Sequence, residues 1–373
     1  MLKNKNDLIN KVSSDIISVL CDHYIFLLMF ITATGLFLRF SGLNVTPLTS
    51  GEMAVTSFSR LPVPHIQATI ENGSILHPPF YYWIQHFFFM FGVTEFSIRF
   101  LPALCGTLSI PVTYLLGKEF HSKDTEILAA AIITISPYHI FCSQDGTPYS
   151  MMLLIILVSL VFFVHMIKAD SSASGACFGF FSGLAFWVMY YSIILTFSLL
   201  LFELVERKMD FRKRFGENRA LYMGIMFFLF VIIPLPGLIH DLEKVPALMS
   251  FHRTPVGWVL ESLNQFYVLN KPLMIVTMIL LLIGIAGLFR YNAQLFSLLL
   301  FMMIVPAVLG MVLSYWIPFE PQYALLVLPA VCTGAGFSYA VIYSLLSRWI
   351  MVSRLKVLVI FLLLFCALSL PLV

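Results

Sequence analysis

Apolar residues in this chain fall in blocks of roughly 17–25, the length a helix needs to cross about 30 Å of hydrocarbon. About eleven such blocks can be marked, at 24–40, 95–117, 125–141, 149–167, 175–189, 190–205, 221–239, 272–289, 295–314, 323–346 and 355–373. The stretch Ala176–Leu204 is the ambiguous one. At roughly 29 residues it is long for one upright helix and short for two.

Basic residues in the short loops set orientation. Lys3, Lys5 and Lys11, then Lys118 and Lys123, Lys168, the cluster from Arg207 to Arg219, Arg290, and finally Arg348, Arg354 and Lys356 all fall on one side if Ala176–Leu204 crosses twice. That parity favours two crossings, with residues 1–23 as a cytoplasmic tail and Val373 outside. The basic cluster reads as a topology signal in contact with anionic headgroups. The first apolar run is preceded by a largely polar stretch and shows no small-residue cleavage site, so it reads as a retained span.

Two outer loops are long, Ser41–Glu95 and His240–Lys271. The first contains the aromatic run Tyr81 to Phe91, which opens after Pro78-Pro79 and closes at Gly92. Proline suits a helix start and glycine its end, and a segment this short cannot span. It reads as an interfacial helix. The expected fold is therefore all-α, a polytopic bundle whose long first extracytoplasmic loop carries interfacial helices.

Composition supports this reading: 60% of residues are hydrophobic, only 11% are charged, and mean hydropathy is +0.93. A net charge of +3 gives no global field for nucleic acid. No zinc spacing, P-loop or dinucleotide glycine fingerprint is present, and the scattered cysteines read as buried thiols. The sequons Asn44-Val45-Thr46 and Asn72-Gly73-Ser74 carry no functional weight.

Candidate chemistry gathers at the outer ends of the spans. Arg39 ends the first span and Arg99 opens the second; both read as interface anchors or as an anion site. Glu52 and Asp145 offer two carboxylates on one face, one to take a proton from an acceptor and one to orient it or hold a metal. Solvated loop carboxylates are the plainer alternative. His77 is aimed by the two prolines that follow it.

Three segments carry a family resemblance. His77-Pro78-Pro79-Phe80-Tyr81-Tyr82 resembles an "HPPLYY" signature. Glu95-Phe96-Ser97-Ile98-Arg99-Phe100-Leu101-Pro102-Ala103-Leu104 resembles "EFALRLPSAL". Ile135-Ser136-Pro137-Tyr138-His139-Ile140, with Ser143-Gln144-Asp145 and Tyr149, resembles "LSPFHIYYSQEARMY". A weaker match sets Pro318 to Tyr323 beside "P-x-x-x-RY". These are motifs of polytopic glycosyltransferases of the GT-C fold, in the branch of protein O-mannosyltransferases and aminoarabinose lipid A transferases.

The resemblance implies a multi-pass enzyme that moves a sugar, with inversion, from a polyprenyl phosphate donor to a hydroxyl of a lipid, glycan or protein acceptor on the non-cytoplasmic side, in the cell membrane or, in a eukaryote, the endoplasmic reticulum. It implies Glu52 and Asp145 as catalytic residues, and Arg39, His77 and Arg99 against the donor phosphate. Tyr81, Tyr82, Gln144, Tyr149 and Tyr323 would contact substrate. It leaves room for a divalent cation and names no certain cofactor. The catalytic module would cover 24–210. Further spans would follow over 211–373 without a large soluble domain, leaving acceptor recognition chiefly to His240–Lys271.

The chain departs from the pattern at three places. Gly51 stands where the family has the aspartate that usually acts as base, Thr147 where it has an arginine after the second carboxylate, and Gln322 where it has the arginine of the late motif. A catalytically silent relative that binds polyprenyl phosphate or serves as a partner subunit is therefore the second reading. A transporter with a broken element at 176–204 is the third.

Overall fold

The computed structural model describes residues 24–71, 77–120, 123–169, 171–206, 271–313, 321–348, 357–361 and 363. The tail at 1–23, the cluster from Arg207 to Arg219, the span read at 221–239, the loop before Lys271, the sequon at Asn72, Pro318 and most of 355–373 lie outside the described residues. So does the boundary placed at 210.

The described residues are helical, with no strand among them. In chain order the helices are α1 (Tyr24–Phe40), α2 (Ser50–Ser59), α3 (Val63–Glu71), α4 (Phe80–Phe89), α5 (Glu95–Phe120), α6 (Lys123–Ile135), α7 (Pro137–Gln144), α8 (Tyr149–Ala169), α9 (Ser172–Val188), α10 (Ile193–Glu206), α11 (Lys271–Tyr291), α12 (Ala293–Leu313) and α13 (Leu328–Leu346). Among them, 5 stretches are long and apolar enough to cross a membrane: α5, α8, α11, α12 and Gln322–Leu346, the last a 3-10 turn running into α13. The chain is an integral membrane protein.

The span read at 125–141 is broken. α6 and α7 meet at a bend of 56°. Pro137 has no N–H, so the carbonyl of Ile133 loses its helical donor. Ser136 caps the new helix by accepting from the N–H of His139 at 3.4 Å. The stretch Ala176–Leu204 also divides, into α9 and α10, joined through a 3-10 turn at Tyr190–Ser192. α10 has 14 residues, about 21 Å of rise, which is less than a hydrocarbon core.

α5 packs between α6 and α8, α8 against α9, and α13 against both α6 and α11. Their shared faces form one apolar core. The first loop lies at one end of this bundle. There α2 begins with a capping box in which Thr49 N–H donates to Glu52 Oε2 at 2.8 Å and Glu52 N–H donates to Thr49 Oγ1 at 3.2 Å. The aromatic run forms α4, starting after Pro79. Phe87, Met90 and Phe91 are exposed, whereas Tyr81, Tyr82, Gln85 and Phe89 are buried. That asymmetry suits a helix lying at the bundle's surface.

Gln85 explains the docking of α4. Pro102 inside α5 frees the carbonyl of Ile98. Gln85 Nε2 donates to that carbonyl at 3.2 Å and to Ser97 O at 3.1 Å. A side-chain amide thus takes the place of the missing backbone donor, as buried backbone in an apolar setting requires.

Candidate functional site

The site is built on a buried ion pair. Arg99 Nε donates to Glu52 Oε1 at 2.6 Å and Nη2 to Oε2 at 2.9 Å, a two-pronged contact. Nη1 donates to Leu43 O at 2.7 Å and Thr46 O at 3.0 Å, and Nη2 to Pro47 O at 3.2 Å. A guanidinium has five N–H donors, and all are engaged. Glu52 is filled as well: Oε2 accepts from Thr49, and Oε1 accepts from the Gly146 N–H at 2.9 Å. Burial alone would raise the Glu52 carboxyl; the hydrogen bonds from Arg99, Thr49 and Gly146 outweigh it and hold it below its usual value. Both residues are almost fully buried. Their geometry fixes the first loop against α5 and against the turn after α7.

Asp145 sits in that turn, one residue before Gly146, in a contrasting environment. Its Oδ2 accepts from the Thr147 hydroxyl at 2.8 Å. Its Oδ1 is buried with no partner. Burial, assisted by the charge of Glu52 and opposed by Thr147, pushes its carboxyl up to about 6. Gly146 keeps the two carboxylates in register: a Cβ there would meet Ile98 Cγ2 at 2.5 Å and Glu52 Oε1 at 3.3 Å.

Tyr81 is fully buried, its hydroxyl has no partner, and Asp145 is close enough to act on it electrostatically. Burial pushes its phenol well up. His77 Nδ1 is also buried and unpartnered, and burial lowers that ring to about 4, so it is neutral at pH 7. Tyr82 packs edge-on against Tyr81, with ring centroids 6.2 Å apart. Tyr149 lies 6.1 Å from Tyr323, again between ring centroids. Tyr81 and Asp145 thus share one neighbourhood, and Tyr149 joins Tyr323 beside the turn.

Arg39 is placed differently. It is fully buried and reaches the break between α6 and α7. Nη2 donates to Ile133 O at 2.9 Å, the carbonyl that Pro137 leaves without a donor, and lies 2.8 Å from His139 Nδ1. Nη1 donates to Thr134 O at 3.2 Å and Gly35 O at 3.0 Å. Gln144 closes the other end of α7 by donating from Nε2 to Leu38 O and Ser41 O, each at 2.9 Å. The last turns of α1 therefore grip α7 at both ends and set where Asp145 stands. Arg39→Lys is expected to lower unfolding free energy by about 1–3 kcal/mol, because an ammonium cannot serve the carbonyls of Gly35, Ile133 and Thr134 and the His139 ring together. Thermal unfolding in detergent measures it.

Gly51 occupies the second position of α2. A Cβ there would lie 3.8 Å from Thr49 Oγ1 and 4.0 Å from Thr147 Cγ2, both ordinary contacts. Gly51→Asp is expected to fold with a stability within about 1 kcal/mol of the parent, since a first-turn acid favours the helix dipole and like charge at Asp145 opposes it. A thermal melt checks this. Among the described residues no group of three His, Cys, Asp or Glu side chains is gathered as a metal would need.

Sequence reasoning did not single out Gln85, His139 or Gly146. For Gln85 and the Arg39–His139 pair a signal existed: each serves the carbonyl four residues before a proline, or the helix that the proline starts.

Residues 76–236 match the family described as dolichyl-phosphate-mannose-protein mannosyltransferase. The crystal structure of ArnT from Cupriavidus metallidurans in the apo state superposes with a TM-score of 0.61 at 17% identity, covering 84% of this chain and 59% of that one. The oligosaccharyltransferase of Archaeoglobus fulgidus, tethered to an acceptor peptide, superposes with a TM-score of 0.60 at 15% identity, covering 93% of this chain and 53% of that one. This chain has the GT-C fold. An uncharacterized protein of Aquifex aeolicus is 35% identical over 83 residues, which is 21% of this chain and 17% of that protein. The chain thus spans little more than half the length of these GT-C structures. The GT-C resemblance of the "HPPLYY", "EFALRLPSAL" and "LSPFHIYYSQ" segments falls on α4, the start of α5, and α7 with its following turn.

Proposed function

We propose that this chain is a membrane glycosyltransferase that takes a sugar from a polyprenyl phosphate and passes it, with inversion, to a hydroxyl acceptor. The observation that carries the reading is Asp145: a largely buried carboxylate with one unpartnered oxygen and a carboxyl raised to about 6, in the motif that resembles the family's second carboxylate. Such a group is ionised at neutral pH and matched to taking a proton there. The related ArnT was solved bound to undecaprenyl phosphate, which supports a lipid-linked donor for this chain.

In the mechanism the acceptor oxygen attacks the sugar's anomeric carbon as its proton passes to Asp145. The bond from that carbon to the phosphate oxygen breaks, and its electron pair leaves with the polyprenyl phosphate. Glu52 and Arg99 position the turn, since neither has a donor or acceptor to spare. His77 and Tyr81 offer neutral polar contacts to the reacting groups. Arg39 acts through α7. Cations for the departing phosphate are to be sought in the outer loop before Lys271, which holds Lys244 and Arg253.

A silent relative is the second reading, favoured by Gly51 and by the saturation of Glu52. Membranes carrying the wild type, Asp145→Asn and Gly51→Asp, incubated with a panel of labelled undecaprenyl-phosphate sugars, separate the two. Transfer by the wild type that is lost in Asp145→Asn supports the enzyme. Donor binding with no turnover in any of them sinks it.

A further inference from the structure

The chain satisfies its structural polar groups completely at Arg99 and Glu52. It leaves a different set bare one step away. Trp83 Nε1, Trp187 Nε1, Ser192 Oγ and Gln322 Oε1 are all buried without a hydrogen-bond partner. They lie on elements in mutual contact. Trp83 of α4 meets Trp187 at the end of α9, with ring centroids 5.8 Å apart. Ser192 closes the 3-10 turn that separates α9 from α10. Its neighbour Tyr191 stacks on Tyr323 at 3.8 Å, and Gln322 precedes Tyr323. Tyr323 in turn meets Tyr149, four residues beyond Asp145.

Buried polar atoms in native proteins are paired, and unpaired ones call for an explanation such as a bound group. The chemistry of this set is specific. Two indole N–H groups and a hydroxyl donate, an amide oxygen accepts, and tyrosine and tryptophan rings supply flat apolar faces. None of these side chains carries a charge, so the set does not fit a phosphate. A hydrocarbon tail would leave every one of the polar atoms bare. A neutral ring with hydroxyls on its edge and C–H groups on its face fits both features.

We propose that the break between α9 and α10, with Trp83 and Gln322, is the subsite that holds the sugar ring of the donor and sets which sugar is accepted. The proposal rests on the glycosyltransferase reading and sets the sugar ring beside the carboxylate turn, where Tyr149 and Tyr323 join the two. It gives the broken pair α9–α10 a role. Tyr191 and Ser192 both stand in the 3-10 turn that makes this break.

The test compares binding of undecaprenyl-phosphate-linked mannose, N-acetylglucosamine and aminoarabinose with binding of sugar-free undecaprenyl phosphate. Purified full-length protein in nanodiscs is used for the wild type, Trp187→Phe, Ser192→Ala and Gln322→Ala. Expected is a loss of about tenfold or more for the preferred sugar-linked lipid in Trp187→Phe or Ser192→Ala, with sugar-free lipid bound as in the wild type. Equal losses for both lipids, or no loss in any of the three variants, overturn the subsite. Ser192→Ala removes a single oxygen and Gln322 is only half-buried, so a folding failure of Trp187→Phe does not remove the test. A wild type that binds neither kind of lipid overturns the glycosyltransferase reading itself, and the subsite with it.

Discussion

Replacing Asp145 by asparagine is expected to cut sugar transfer by about 10²–10⁴-fold, the range for loss of a positioned proton acceptor, with the protein still folded. Asparagine keeps the shape and can accept from Thr147, so the turn survives. In the wild type, transfer should rise with pH through about 6 as Asp145 ionises, and that limb should vanish in the variant. Stability should move the opposite way. A carboxyl whose folded value is raised favours the fold while it is protonated, below its ordinary value of 3.8. That contribution is lost as pH rises through about 6. Asp145→Asn removes the dependence and is expected to be more stable than the wild type at pH 7–8, by on the order of 1–3 kcal/mol. A variant that is inactive yet harder to melt would be the signature of a group kept for chemistry at a cost to the fold.

Glu52 and Arg99 should fail in another way. Arg99→Met strips Glu52 of its partner and leaves three carbonyls bare, for a loss of about 3–5 kcal/mol. Arg99→Lys keeps the charge but offers three donors where five are used, and is expected to lose on the order of 2 kcal/mol or more. Glu52→Gln turns one acceptor oxygen into an N–H₂ that faces other donors. Any fall in transfer in these three variants should follow the folded fraction in a melting curve, not a change in pH profile. Because the Glu52 carboxyl is depressed, its contribution is present above its ordinary value of 4.5 and lost as pH falls through the lower folded value. Strong acid therefore weakens the Glu52–Arg99 pair. A Glu52→Gln protein that folds as well as the wild type and has lost only turnover would show that Glu52 is chemical after all.

The helical, multi-pass character was legible because apolar runs long enough to span are hard to mistake. α4 was legible for a similar reason, as proline before and glycine after an aromatic run mark a short helix. The break between α6 and α7 was not read from hydropathy, since 125–141 is apolar on both sides of Pro137 and only the backbone knows that a donor is missing. The candidate residues were found by type, but their roles could not be. Arg39 and Arg99 look alike in the sequence, each at a span end. One is consumed by carbonyls at a helix break, the other by a carboxylate and a loop. Likewise Glu52 and Asp145 are both acids near a span end, and only their surroundings separate a saturated carboxylate from a bare one. Trp187 and Ser192 carried no signal, because an unpaired buried atom is a property of packing.

The Arg39 contact also has a consequence for how the protein is made. Its acceptor Ile133 lies 94 residues further along the chain. At roughly 5–20 residues per second of synthesis, the interval between the two is on the order of 5–20 s. Throughout that time the only one of its acceptor carbonyls already made is Gly35 O, one turn back in α1 itself, and the remaining N–H groups of the guanidinium are left to snorkel toward water. The end of α1 is thus completed only when α6 and the break at Pro137 have been made, so a contact that fixes the first helix waits on the sixth.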